Sequence, residues 1–282
     1  MLDYLRDVLD TPILQYSLLS GVLASIACGI VGSYVVARRI TYIAGGISHC
    51  VLGGIGAAVY LQTTLGWTGI RPLHGAIASA LLAAVIIGLV SLRAKEREDT
   101  VIGALWAIGM AAGILFIWKT PGYAADLMSY LFGSITMVSV QDLWLLAGLD
   151  ALVLLMGLLF YDQLQAVCFD EEFARLRGVR VEIYYLMLLC ITALTVVLLV
   201  TVVGIVMVIA LLTLPTAVAG HFSKTLRQMM VLSTLFSIAF TTLGIALAYG
   251  PELPPGATIV VLAGAVYLLV TLGVRVVRFR RS

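Results

Sequence analysis

The stretch Tyr42 to Tyr60, YIAGGISHCVLGGIGAAVY, follows the basic pair Arg38-Arg39 and carries no Asp, Glu, Lys or Arg. As a helix it is long enough to cross the roughly 30 Å apolar core of a bilayer. Inside it stand one imidazole, His49, one thiol, Cys50, and five glycines. Gly45, His49, Gly53 and Gly56 fall at i, i+4, i+8 and i+11. That spacing predicts a histidine in a groove of glycines, where another backbone or a substrate comes close. A titratable ligand residue at membrane depth is the natural start of a functional reading.

The rest of the chain repeats the apolar pattern. Of 282 residues, 62% are hydrophobic and 11% charged. Soluble domains carry about 25% charged residues, so this is the composition of an integral membrane protein. Runs of spanning length cover Ile13 to Val36, Ile43 to Leu61, Leu73 to Leu92, Val101 to Trp118 and Leu143 to Phe160. Four more cover Ile183 to Val200, Val202 to Ala219, Met229 to Tyr249 and Ala257 to Val274. None alternates with period two, so helices are the way to satisfy the backbone in lipid. Fusing Ile183 to Ala219 would leave eight spans, but its 37 residues would make a helix of roughly 55 Å, too long for the bilayer. The fold class is therefore an all-α polytopic transmembrane bundle of about nine spans.

Nine spans starting outside put 14 of the 17 Lys and Arg residues in inside loops, leaving Arg6, Arg71 and Lys119 outside. This positive-inside bias predicts an outer N-terminus and a cytoplasmic C-terminus. The acidic start, MLDYLRDVLD, lacks the basic flank of a secretory signal, so the first span is expected to be retained. No polar interval is long enough for a second domain, and residues 1–282 are read as one transmembrane domain. The spans meeting near Thr201 to Gly204 are short, and Pro215 interrupts the second. Such helices line pathways in transporters, and they also arise as kinks for packing.

Few residues offer chemistry. There is no GxxxxGK[ST], GxSxG or HExxH motif, so neither ATP hydrolysis nor an enzyme is expected on this chain. Cys28, Cys50, Cys168 and Cys190 lack CxxC spacing and read as small core residues. His74 and His221 fall at helix ends, as interfacial or capping residues. Asp150 falls near the middle of the fifth span. There it serves either as a cavity-lining group or relay for cations, or as an interhelical hydrogen-bonding group. His49 is either a ligand for a passing metal or a neutral imidazole bonded to a carbonyl. One histidine is no complete site.

The polar interval Phe169-Asp170-Glu171-Glu172-Phe173-Ala174-Arg175-Leu176-Arg177-Gly178 has an apolar stripe of Phe169, Phe173 and Leu176. Acids lie in its first turn, arginines in its last, and Gly178 supplies a C-cap. A short helix is predicted, docking a partner or lying on the membrane surface. On the other side, Lys119 to Asp142 is too polar to span, and its Asp126 to Phe132 portion suits a short interfacial helix.

Four stretches, RRITYIAGGISHCVLGGIGAA, FDEEFARLRGV, VVGIVMVIALLTLPTAVA and ELPPGATIVVLAGAVYLL, resemble the permease subunits of ABC transporters for zinc, manganese and iron. The resemblance implies half of a homodimeric membrane core in a prokaryotic inner membrane, with residues 163–182 as a cytoplasmic coupling segment. Within it, Phe169 to Ala174 and Gly178 would meet a separate ABC ATPase, which binds the ATP. An extracytoplasmic metal-binding protein would deliver a divalent metal, carried inward by alternating access. Membrane lipid is the only other partner expected; no permanent cofactor and no nucleic acid is implied.

The family pattern often places Asp four residues before the histidine, and here that position is Gly45. A carboxylate from another helix, Asp150 or Glu252, is then the candidate to join His49 on the metal, unless the substrate differs. Two other readings stand beside a metal-ion importer. One is a permease for a chelate such as a siderophore or corrinoid, suited to a wide glycine-lined pathway. The other is a membrane scaffold that binds a partner through the Phe169 segment.

Overall fold

Each apolar run becomes a helix because only intrachain hydrogen bonds can satisfy its backbone away from water. The structure, a computed structural model, describes residues 7, 10–67, 69–93, 98–121, 133, 135, 137–251 and 253–279. Among these there is no strand. The helices are α1 Pro12–Ala37, α2 Thr41–Thr64, α3 Pro72–Arg93, α4 Glu98–Lys119, α5 Val140–Leu159, α6 Tyr161–Phe169, α7 Glu171–Leu176, α8 Val181–Val203, α9 Ile205–Phe222, α10 Leu226–Tyr249 and α11 Pro255–Phe279. Among the described residues, nine are long and apolar enough to cross a membrane: all but α6 and α7. The proposed interfacial helix at Asp126 to Phe132 lies outside the described residues.

Local chemistry marks the helix ends. Ser139 and Asp142 form a capping box at the start of α5, with the Asp142 N–H donating to Ser139 Oγ at 3.3 Å and the Ser139 N–H to Asp142 Oδ2 at 3.0 Å. Thr225 caps α10 by accepting the Gln228 N–H. His74 Nδ1 accepts the Arg71 N–H at 3.2 Å, a capping role beside α3. Each such cap contributes about 1 kcal/mol. The break between α8 and α9 falls at Gly204, whose φ of 85° lies where side-chain-bearing residues are strained. Two short spans therefore replace one overlong helix. Pro215, expected to interrupt the second, sits buried inside α9, which continues from Ile205 to Phe222. A single lost backbone bond is tolerable in a helix braced by its neighbours.

The most buried spans are α1, α2, α8 and α9. On one side α2 packs extensively against α3 and α4, and α8 against α3. On the other, α10 covers α1, and α11 covers α9 and α10. Span α5 rests on α1 and touches α8. Buried hydroxyls tie the second group: Ser25 to Thr241 at 3.0 Å and Thr216 to Ser233 at 2.6 Å. Hydrogen bonds of this kind join helices where lipid offers no hydrophobic drive.

Candidate functional site

His49 lies half-buried on α2, one residue before the buried Cys50. The Cys50 thiol donates to the Leu105 carbonyl at 3.3 Å, so it is turned toward α4 and engaged there. His49 stacks face to face on Trp106 of α4, with ring centroids 4.4 Å apart and planes 5° from parallel. Trp106 in turn points its indole N–H at Met110 Sδ, 3.0 Å away. Nothing within α2 announces this stack, because its two rings belong to different helices.

The glycine groove around His49 is largely filled by protein. A methyl on Gly53 would come within 2.8 Å of the Gly109 carbonyl oxygen, and one on Gly56 within 2.6 Å of the Gly113 oxygen. These are backbone-to-backbone contacts between α2 and α4, of the kind small residues four apart permit. Gly109 and Gly113, in GMAAG, are a sequence signal for this contact that the reading of apolar runs passed over. Gly45, one turn before His49, differs. The nearest atom to a methyl there is Ile209 Cδ1 at 4.0 Å, so that side of the turn is open.

Asp150 is 5% exposed, on the face of α5 that lies against Ala27 and Cys28 of α1. Neither carboxylate oxygen has a hydrogen-bond partner of normal geometry among the described residues. An interhelical hydrogen bond, one of the two roles considered for it, is not made among the described residues. Span α5 packs on α1 and α8, whereas α2 packs chiefly on α3 and α4, so Asp150 and His49 face different neighbours. Glu252 lies outside the described residues. Among those described, no three His, Cys, Asp or Glu side chains gather as a metal site. All four cysteines are free. Burial pushes the Cys168 thiol, in α6, up to about 12 against the opposing influence of Arg38. It remains a protonated core group at neutral pH.

The second candidate feature is the α6–α7 turn. The single helix expected from Phe169 to Gly178 is divided at Asp170, whose extended backbone (φ −154°, ψ 99°) separates Phe169 on α6 from Phe173 on α7. The reason is local. Asp170 Oδ1 accepts the Phe173 N–H at 2.9 Å, making Asp170 an N-cap instead of a helix interior residue. Gly178, at φ 79°, ends the turn, with the Val179 N–H donating to the Ala174 carbonyl at 3.0 Å. Ala174 is fully buried, while Phe169, Phe173 and Leu176 are exposed.

Arg38, which the sequence offered only as a topology charge, holds this turn to the spans. Its guanidinium pairs with Glu171, donates to the Val167 carbonyl at 3.2 Å and lies 5.3 Å over the Tyr185 ring. It thus joins the end of α1 to α6, α7 and α8. The sequence signal available was the basic pair Arg38-Arg39 at a helix end, together with the acids of FDEEF; which residues pair could not be read from the spacing.

One imidazole at membrane depth can touch a passing cation but cannot hold it, and an exposed aromatic turn acts only when something recognises it. Such a division suits a membrane permease. The chain belongs to the ABC 3 transport family, which matches residues 10–273. It is 42% identical over 258 residues to a "probable metal transport system membrane protein" of Chlamydia trachomatis, covering 92% of this chain and 88% of that one. It is 33% identical to a manganese transport system membrane protein of Halalkalibacterium halodurans, over 94% of this chain and 89% of that one. Among solved structures it is similar to PsaBC from Streptococcus pneumoniae in complex with Fab, with a TM-score of 0.82, 30% identity, and 95% and 94% of the two chains covered.

Proposed function

We propose that this chain is the membrane-spanning subunit of an ATP-driven importer for a divalent transition-metal ion, manganese or zinc. In this reading residues 1–282 are one permease domain, two copies form the pathway, and alternating access moves the ion. The N-terminus lies outside, and Arg38, Arg175 and Arg227 lie at the cytoplasmic end with the α6–α7 turn. A separate ATPase receives Phe173 and Leu176, with residues 163–182 as the coupling segment, and an extracytoplasmic protein delivers the metal. The observation that carries the reading is the α6–α7 turn: two exposed apolar side chains on a turn fixed to the spans by Arg38. The relatives' names add the metal.

His49 is the cargo contact in this proposal, open on its Gly45 side, and a homodimer brings two such imidazoles. Neutral imidazole suits zinc, whereas manganese favours oxygen ligands, which His49 alone does not supply. Of the two carboxylates expected to join it, Asp150 faces other neighbours than His49, and Glu252 lies outside the described residues. The chelate reading rested on a wide glycine-lined groove, and at Gly53 and Gly56 that groove admits the α4 backbone.

The test is metal uptake into vesicles holding the permease and its ATPase. ATP-dependent manganese or zinc uptake that falls at least about tenfold in His49→Ala is expected, as for loss of one of two or three transit ligands. Uptake unaffected by the substitution removes His49 from the pathway. No ATP-dependent uptake of any metal ion or chelate favours the scaffold reading.

A further inference from the structure

Arg227 stands in the first turn of α10 at the same end as the α6–α7 turn, with its guanidinium 4.4 Å over the Tyr161 ring. It is exposed, and it makes no ion pair with a carboxylate among the described residues. On either side of it lies a cleft of about 590 Å³. The first is walled by Ile26 and Ile30 of α1, Leu154 and Leu158 of α5, and Leu235 of α10. The second runs beside Phe222, Lys224, Gln228 and Leu232. Arg227 and Val231 line both.

The walls face outward from helices that cross the membrane: Leu158 is 78% exposed and Val231 60%. The rim is cationic, with Lys224 and Arg227 and no carboxylate among the lining residues. An amphiphile with one negative head and two apolar tails matches this arrangement in both charge and shape. A guanidinium takes a phosphate through two parallel hydrogen bonds, and basic pockets between spans bind anionic lipid head groups. A second copy of the chain fits less well. A two-fold contact centred here would set Lys224 and Arg227 against their own counterparts, with no acid in either cleft to offset them.

We propose that the paired clefts flanking Arg227 bind one anionic phospholipid, its phosphate on the Arg227 guanidinium and its acyl chains along the two apolar walls. The site is separate from His49 and does not depend on what the protein transports.

The experiment is native mass spectrometry of the full-length protein in mild detergent, titrated with phosphatidylglycerol and, separately, with phosphatidylcholine of the same chains. Phosphatidylglycerol should be retained about fivefold more, the effect of one cation at a membrane surface. R227Q should bring the two lipids to parity, and R227K should keep part of the preference. Equal retention on the unmodified protein overturns the proposal, and so does a preference that R227Q leaves intact. Clefts that retain no lipid, with R227Q changing the oligomer mass, would show a chain-to-chain contact and overturn it as well. Should R227Q fail to fold, salt decides: raising ionic strength must erase the preference of the unmodified protein, and a salt-independent preference overturns the assignment.

Discussion

At the α6–α7 turn the shaping contacts are close in sequence, whereas the surroundings of His49 are assembled from distant chain. Asp170 caps a backbone N–H only three residues on, and Gly178 and Val179 close the same turn. Beside His49, Cys50 bonds a carbonyl 55 positions away, and the imidazole rests on Trp106 of the same distant helix. The turn is shaped by its own residues and exposes Phe169, Phe173 and Leu176. The His49 face exists only once α2 and α4 have docked. Arg38 is the exception at the turn, reaching 129 positions to Val167, and through it the local element is tied to the spans.

The contrast breaks most sharply at the α2–α4 contact. Gly109→Leu should destabilise the protein by about 3 kcal/mol, the upper range for overpacking against a backbone that cannot move aside. Thermal unfolding in detergent measures this. A melting temperature equal to the parent's would mean that α2 and α4 do not approach as closely as the structure has them. The turn should behave differently, losing recognition without losing the fold. Phe173→Asp is expected to weaken ATPase binding about thirtyfold, as for a hot-spot residue of about 2 kcal/mol, with unfolding unchanged. Co-purification at parental yield would remove Phe173 from the interface.

A smaller effect belongs to the stack. Trp106→Ala should raise the KM for metal uptake about fivefold, from an aromatic pair of about 1 kcal/mol, while Trp106→Phe keeps most of the function. Equal behaviour of the two variants would show that the ring plane does not orient His49. The smallest effect is at Arg38, whose pair with Glu171 is partly exposed. Arg38→Gln should cost under about 1 kcal/mol of stability, yet it should lower the metal moved per ATP hydrolysed. An unchanged transport ratio would leave Arg38 as a structural tie alone.

How far the sequence was legible differs between these regions for one reason, the distance over which the forces act. Apolar runs longer than a bilayer is thick placed the nine spanning helices found among the described residues, and the junction expected near Thr201 to Gly204 falls at Gly204. The Asp170 and Gly178 signals placed the turn, although Asp170 was read inside a helix that it in fact begins. At His49, helical spacing gave a glycine groove open to another backbone or a substrate, and at Gly53 and Gly56 the structure brings in the backbone of α4. They are spacers for α4, as Gly109 and Gly113 on the partner helix show. Asp150 was legible as a residue needing a neighbour, and the neighbour proved to be α1.

The sequence by itself determined the bundle, the spans and the exposed turn. Those follow from burial of apolar length and from hydrogen bonds within a few residues, which any copy of the chain must satisfy locally. Only the tertiary structure decided which helices meet. In lipid there is no hydrophobic drive between spans, so partners are chosen by fine surface fit. Glycine against glycine sets α4 on α2, brings Trp106 under His49, and keeps Asp150 on another face of the bundle.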